Sequence, residues 1–91
     1  MHQPHDKLFK TGFSDPETAA GFIRTQLPGE LSSVIDWKSL QLQPGSFIDS
    51  QFRQSESDLL FRAELQNEPI HFYLLFEHQT SEDQYLALRL L

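Results

Sequence analysis

The sequence predicts an α+β fold in one small domain: N-terminal helices, a three-stranded antiparallel meander, and the start of a further helix. Three observations predict it. Apolar residues recur at helical spacing through residues 5–35. Two apolar runs alternate at period two on either side of Gln66-Asn67-Glu68-Pro69. Ser81 and Gln84 then stand at capping-box spacing ahead of an apolar stretch over residues 82–91.

Taking the elements in order, Leu8, Phe9 and Phe13 share a helical face, and Gly12 offers a stop for that first short helix. Ser14 and Glu17 have capping-box spacing and Pro16 suits a first turn, so a second helix starts there. Ala19, Ala20, Phe22, Ile23 and Leu27 form its apolar stripe, and Pro28-Gly29 ends it. One more turn over Glu30–Ile35 turns Leu31, Val34 and Ile35 inward, and Trp37 is placed as a core plug. Strands then occupy residues 40–79. Leu40 and Leu42 alternate, Pro44-Gly45 is a turn, and 46–52 is a moderate strand. Leu59, Phe61, Ala63 and Leu65 share one face with Ile70, Phe72, Leu74 and Phe76. The other face carries Asp58, Leu60, Arg62 and Glu64 with His71, Tyr73, Leu75 and Glu77. Tyr85 to Leu91 is expected to begin a helix.

Composition narrows the function. At 91 residues and 38% apolar content the chain is a folded domain that buries its core with little to spare. It has no cysteine, which excludes disulfides and thiolate metal sites. No apolar run resembles a secretory signal or spans a bilayer, so the expected location is cytoplasmic, away from membranes. A formal net charge of −6 argues against a phosphate-coating basic surface, so this chain alone is expected to bind double-stranded DNA weakly.

The chemical lead is a pair of acids. A symmetric hairpin turning on Asn67 and Glu68 sets Asp58 opposite Glu77, where opposed Cβ atoms are about 4.5–5.5 Å apart. Two carboxylates that close favour a cation between them. Mg²⁺ accepts two carboxylates and a backbone carbonyl, here that of His78, and keeps several waters. Gln79 falls on the same face as Glu77. Solvated strand ends that bind nothing account for the same spacing. His2 and His5 lack a third ligand for zinc, and His71 lies at the turn end, far from Glu77. Ser57 is either a phosphate contact or an ordinary turn residue, and Lys7, Lys10 and Arg53 are either groove-flanking cations or a solvated surface.

A family resemblance sits on these same residues. His5-Asp6-Lys7-Leu8-Phe9-Lys10, Phe13, Leu27-Pro28, Asp36-Trp37, Pro44-Gly45-Ser46-Phe47-Ile48-Asp49, Ser57-Asp58-Leu59-Leu60-Phe61 and Leu74-Leu75-Phe76-Glu77-His78-Gln79 follow one another in order. Together they resemble the N-terminal part of the Rpn family of recombination-promoting nucleases, or putative transposases, in the PD-(D/E)XK nuclease superfamily. The match spans residues 5–91.

The resemblance implies a core of helix, three-stranded meander, helix and further strand. It implies a metal-dependent DNA endonuclease linked to recombination or transposition, using Mg²⁺ or Mn²⁺ held by Asp58 and Glu77. The superfamily's lysine position falls on Gln79, a neutral amide that orients water or phosphate and leaves more of the work to the metal. The first-helix acid of some superfamily members falls on Asp6 or on Glu17. Members of the family are longer, so the chain is expected to be a truncated, partial nuclease domain. It would then pair with a second copy or a longer homologue. The alternative is a catalytically inactive fragment, acting as an interaction module or surviving as a remnant.

Overall fold

A computed structural model describes residues 11–44, 58–78, 80 and 84–90. Thr11–Phe13 is helical, with Gly12 inside the turn rather than ending it. Helix α1 spans Pro16–Gln26 and the single turn α2 spans Gly29–Ser32. Strands β1 (Ile35–Gln43), β2 (Leu59–Leu65), β3 (Glu68–His78) and β4 (Gln84–Leu90) form one sheet in the order β1-β2-β3-β4, every pair antiparallel. No helix among the described residues is long and apolar enough to cross a membrane.

Helix α1 starts one residue later than the Ser14–Glu17 spacing suggests. Its N-cap is Asp15, whose carboxylate accepts from the Thr18 N–H at 3.3 Å and the Thr18 hydroxyl at 3.0 Å. Pro16 decides this, because a proline fits the first helical position, where its missing N–H costs nothing. Ala19, Ala20 and Ile23 are buried as the helical spacing requires, and two alanines in the stripe let the helix lie close to the sheet. Phe13 meets Phe22 edge-to-face at 5.8 Å.

The expected turn over Glu30–Ile35 stops at Ser32, and Ile35 already opens β1. Ile35 is buried, whereas Val34 is exposed rather than turned inward. Trp37 is half-buried: one face stacks on Phe72 at 6.0 Å, the Arg24 guanidinium lies 4.9 Å over the ring, and Nε1 donates to the Ser32 carbonyl. The β1–β2 register slips between Asp36 and Gln41. Ser39 fills the gap, its hydroxyl donating to the Asp36 carbonyl and accepting from the Glu64 N–H at 2.8 Å. The strand expected over 46–52 lies outside the described residues.

The hairpin turns on Gln66 and Asn67, at φ +50° and +69°, so Leu65 pairs with Glu68 and Leu59 with Leu74. That is one position earlier than a turn on Asn67 and Glu68. Proline explains the shift. The pair closing a two-residue hairpin exchanges both backbone hydrogen bonds, and the alternative turn would demand an N–H from Pro69. The observed register gives that duty to Glu68 and sets Pro69 opposite Glu64 in a pair that does not exchange those bonds.

Two further expectations are corrected. The meander has four strands among the described residues rather than three, and residues 84–90 form a strand rather than the start of a helix. A helix of about two turns is marginal in water. The open edge of β3 instead offers partners along Phe72–His78, and Leu86 and Leu88 alternate with Tyr85, Ala87 and Arg89 as a strand demands. On one face Phe61, Ala63, Phe72 and Leu74 build the main core under α1, joined by Leu86 and Leu88. On the other, Leu60, Tyr73 and Leu75 form a smaller cluster with Ala87 packed against it.

Candidate functional site

The acids lie on the face away from α1. Asp58 precedes β2 and is 3% exposed, an unusual degree of burial for a carboxylate. The observed register sets it level with Leu75, so Glu77 is its diagonal neighbour and not its direct partner, as a turn on Asn67 and Glu68 implied. Parity is unchanged by the shift, and both acids remain on one face. The Tyr73 hydroxyl, diagonal to Asp58 on the other side, donates to Asp58 Oδ2. Tyr73 is itself 2% exposed, so this contact is shielded from water.

Glu77 is held from the other flank. Arg89 Nε donates to Glu77 Oε1 at 3.0 Å and Nη2 donates to the same oxygen. In the ladder Arg89 stands opposite Tyr73, and Tyr85 stands opposite Glu77. The two residues that grip the acids are therefore themselves a cross-strand pair. The spacing of Tyr73 put it on the face of Asp58, but its bond was not foreseen. Arg89 was hidden because its segment looked helical.

Other candidates fall elsewhere. His71 pairs with Arg62 near the turn, six residues and so roughly 20 Å along the strand from Glu77. Glu17 belongs to α1, which packs against the opposite face, so the sheet separates it from Asp58. His78 ends β3 opposite Gln84. Gln79, Asp6, His2, His5, Lys7, Lys10, Arg53 and Ser57 lie outside the described residues.

A divalent cation fits the donor chemistry that remains. Two hard carboxylates on neighbouring strands suit Mg²⁺, which commonly takes one or two protein carboxylates and fills its shell with water and phosphate. Among the described residues no cluster of three or more His, Asp or Glu forms a fuller cage. A groove of about 580 Å³ beside Arg24, Trp37 and Lys38 lies on the α1 side of the sheet. Its tryptophan is already engaged by Phe72, stacked at 6.0 Å, and by the Arg24 guanidinium 4.9 Å from the ring centre.

Comparison with known proteins connects the chain to a family. The family described as "Putative transposase, YhgA-like" matches residues 3–91. Recombination-promoting nuclease RpnA of Escherichia coli (strain K12) is 38% identical over 88 residues, covering 97% of this chain and 30% of RpnA. The putative inactive recombination-promoting nuclease-like protein YjiP of the same organism is 39% identical over 88 residues, covering 97% of this chain and 85% of YjiP. The inactive recombination-promoting nuclease-like protein RpnE, also of that organism, is 38% identical over 88 residues, 97% of this chain and 29% of RpnE. The chain thus spans about a third or less of the length of RpnA and RpnE and most of that of YjiP. No solved structure matches.

Proposed function

The chain belongs to the YhgA-like putative transposase family, and on that premise we propose that it carries the metal-binding acids of a PD-(D/E)XK-type DNA endonuclease core. The reaction is phosphodiester hydrolysis in the service of DNA recombination or transposition, in the cytoplasm. The observation that carries this reading is the placement of the buried Asp58 and the partly exposed Glu77 on one face of neighbouring strands, each gripped by a polar side chain. The names of RpnA and its nuclease relatives support the same class of chemistry.

In this reading Asp58, Glu77 and the backbone carbonyl of His78 hold Mg²⁺ or Mn²⁺. Bound there, the ion would lower the pKa of a water and offset the charge that develops on phosphate. The protein's share is positional. Tyr73 holds the Asp58 carboxylate by one oxygen. Gln79, with no charge to offer, orients water or phosphate. Double-stranded DNA is the substrate, bound weakly by a chain of net charge −6. A second copy or a longer homologue would add contacts.

A second reading, a catalytically silent interaction module, is favoured by two observations. YjiP, most of whose length the chain spans, is named inactive. Glu77 is also engaged by Arg89. Nicking of supercoiled plasmid with Mg²⁺ or Mn²⁺ separates the two. The nuclease reading expects nicking by the parent chain and none by Asp58→Ala. Undiminished nicking by that variant defeats the site assignment. An inert parent that elutes as a dimer, or together with a longer homologue, favours the module.

A further inference from the structure

We propose that Arg89 is a positioning residue of the acid pair: it serves Glu77 as a resident counter-cation and so sets how strongly the pair draws a divalent ion. The inference rests on the metal reading above. The β4 register places Arg89 opposite Tyr73, two same-face positions from Tyr85, the partner of Glu77. Between them lies Ala87, whose single methyl leaves the arginine stem free to run along the strand. The guanidinium then lands Nε and Nη2 together on Oε1. Asp58 accepts instead from the neutral Tyr73 hydroxyl.

The Arg89 charge opposes an incoming cation in two ways. It repels the ion directly, and its two donors occupy the oxygen the ion would share. The Arg89 side chain is 45% exposed and that of Glu77 is 25% exposed, so water screens the pair without cancelling it. The other described cation on this face, Arg62, sits beside His71 at the turn end and does not reach Glu77. A unit charge a few ångströms from a divalent ion in a water-screened site changes its affinity by roughly tenfold.

The test is a Mn²⁺ titration of the 91-residue chain at low salt, read from the electron paramagnetic resonance signal of free Mn²⁺ and needing no cleavage. Arg89→Gln, which keeps donors and removes charge, is expected to bind Mn²⁺ about tenfold more tightly than the parent. Arg89→Lys, which keeps the charge, is expected to stay near the parent, and Asp58→Asn to bind more weakly. Far-UV circular dichroism melts verify that each variant folds. If Arg89→Gln binds no tighter while Asp58→Asn binds more weakly, the role given to Arg89 is overturned and the metal reading stands. If Arg89→Lys tightens as much as Arg89→Gln, charge is not the cause and the proposal again fails. If Asp58→Asn binds as well as the parent, the metal reading itself is overturned.

Discussion

Tyr73→Phe removes one hydroxyl and keeps a ring packed beside Leu60 and Leu75. The lost group is the donor to Asp58 Oδ2, and both residues are almost fully buried. A hydrogen bond to a charged acceptor contributes about 1.5–3 kcal/mol, and a buried acceptor left short of its donor is costly because water does not replace it. Burial selects that range over the smaller surface value, so the expected loss is about 2 kcal/mol. Against about 5–14 kcal/mol for a domain of this size, that is a sizeable fraction of the total stability. It corresponds to a drop in Tm of roughly 8–16 °C. Urea denaturation followed by Trp37 fluorescence should show a lower midpoint with an unchanged slope, since the surface exposed on unfolding is the same. A cycle combining Tyr73→Phe with Asp58→Asn isolates the pair, with an expected coupling of about 1–2 kcal/mol. A Tyr73→Phe variant within about 0.5 kcal/mol of the parent, or a coupling near zero, would refute the claim that this hydroxyl holds Asp58.

Two predictions concern the scaffold. Gln66 and Asn67 both adopt positive φ, a conformation that favours Asn-Gly in a two-residue hairpin, so the double substitution Gln66→Asn, Asn67→Gly should raise stability by about 0.5–1 kcal/mol in denaturant titration. In β4, Leu88 packs on the core whereas Leu90 is 49% exposed. Leu88→Ser should therefore cost about 1–2 kcal/mol, and Leu90→Ser less than about 0.5 kcal/mol. Equal costs would contradict the strand assignment of residues 84–90.

Much of this protein is determined by the sequence alone, because side-chain period is a local property. Period two in residues 59–65 and 70–77 was sufficient to sort Leu59, Phe61, Phe72 and Leu74 onto the core face and Asp58, Tyr73 and Glu77 onto the other. The structure retains that division in full. The stripe of Ala19, Ala20 and Ile23 was legible for the same reason.

Register, pairing and contacts between distant residues were decided only by the tertiary structure. The hairpin register turned on whether Pro69 must supply a hydrogen bond, a question that arises only once two strands are paired. Residues 84–90 became a strand because the edge of β3 was open to them, although their local capping signals favoured a helix. The acid pair depends on both decisions. The first made Asp58 and Glu77 diagonal neighbours, and the second brought Arg89 to Glu77 from twelve residues away. Sequence alone thus placed two carboxylates on one face of a small α+β domain. What each of them touches was settled by the strands on either side.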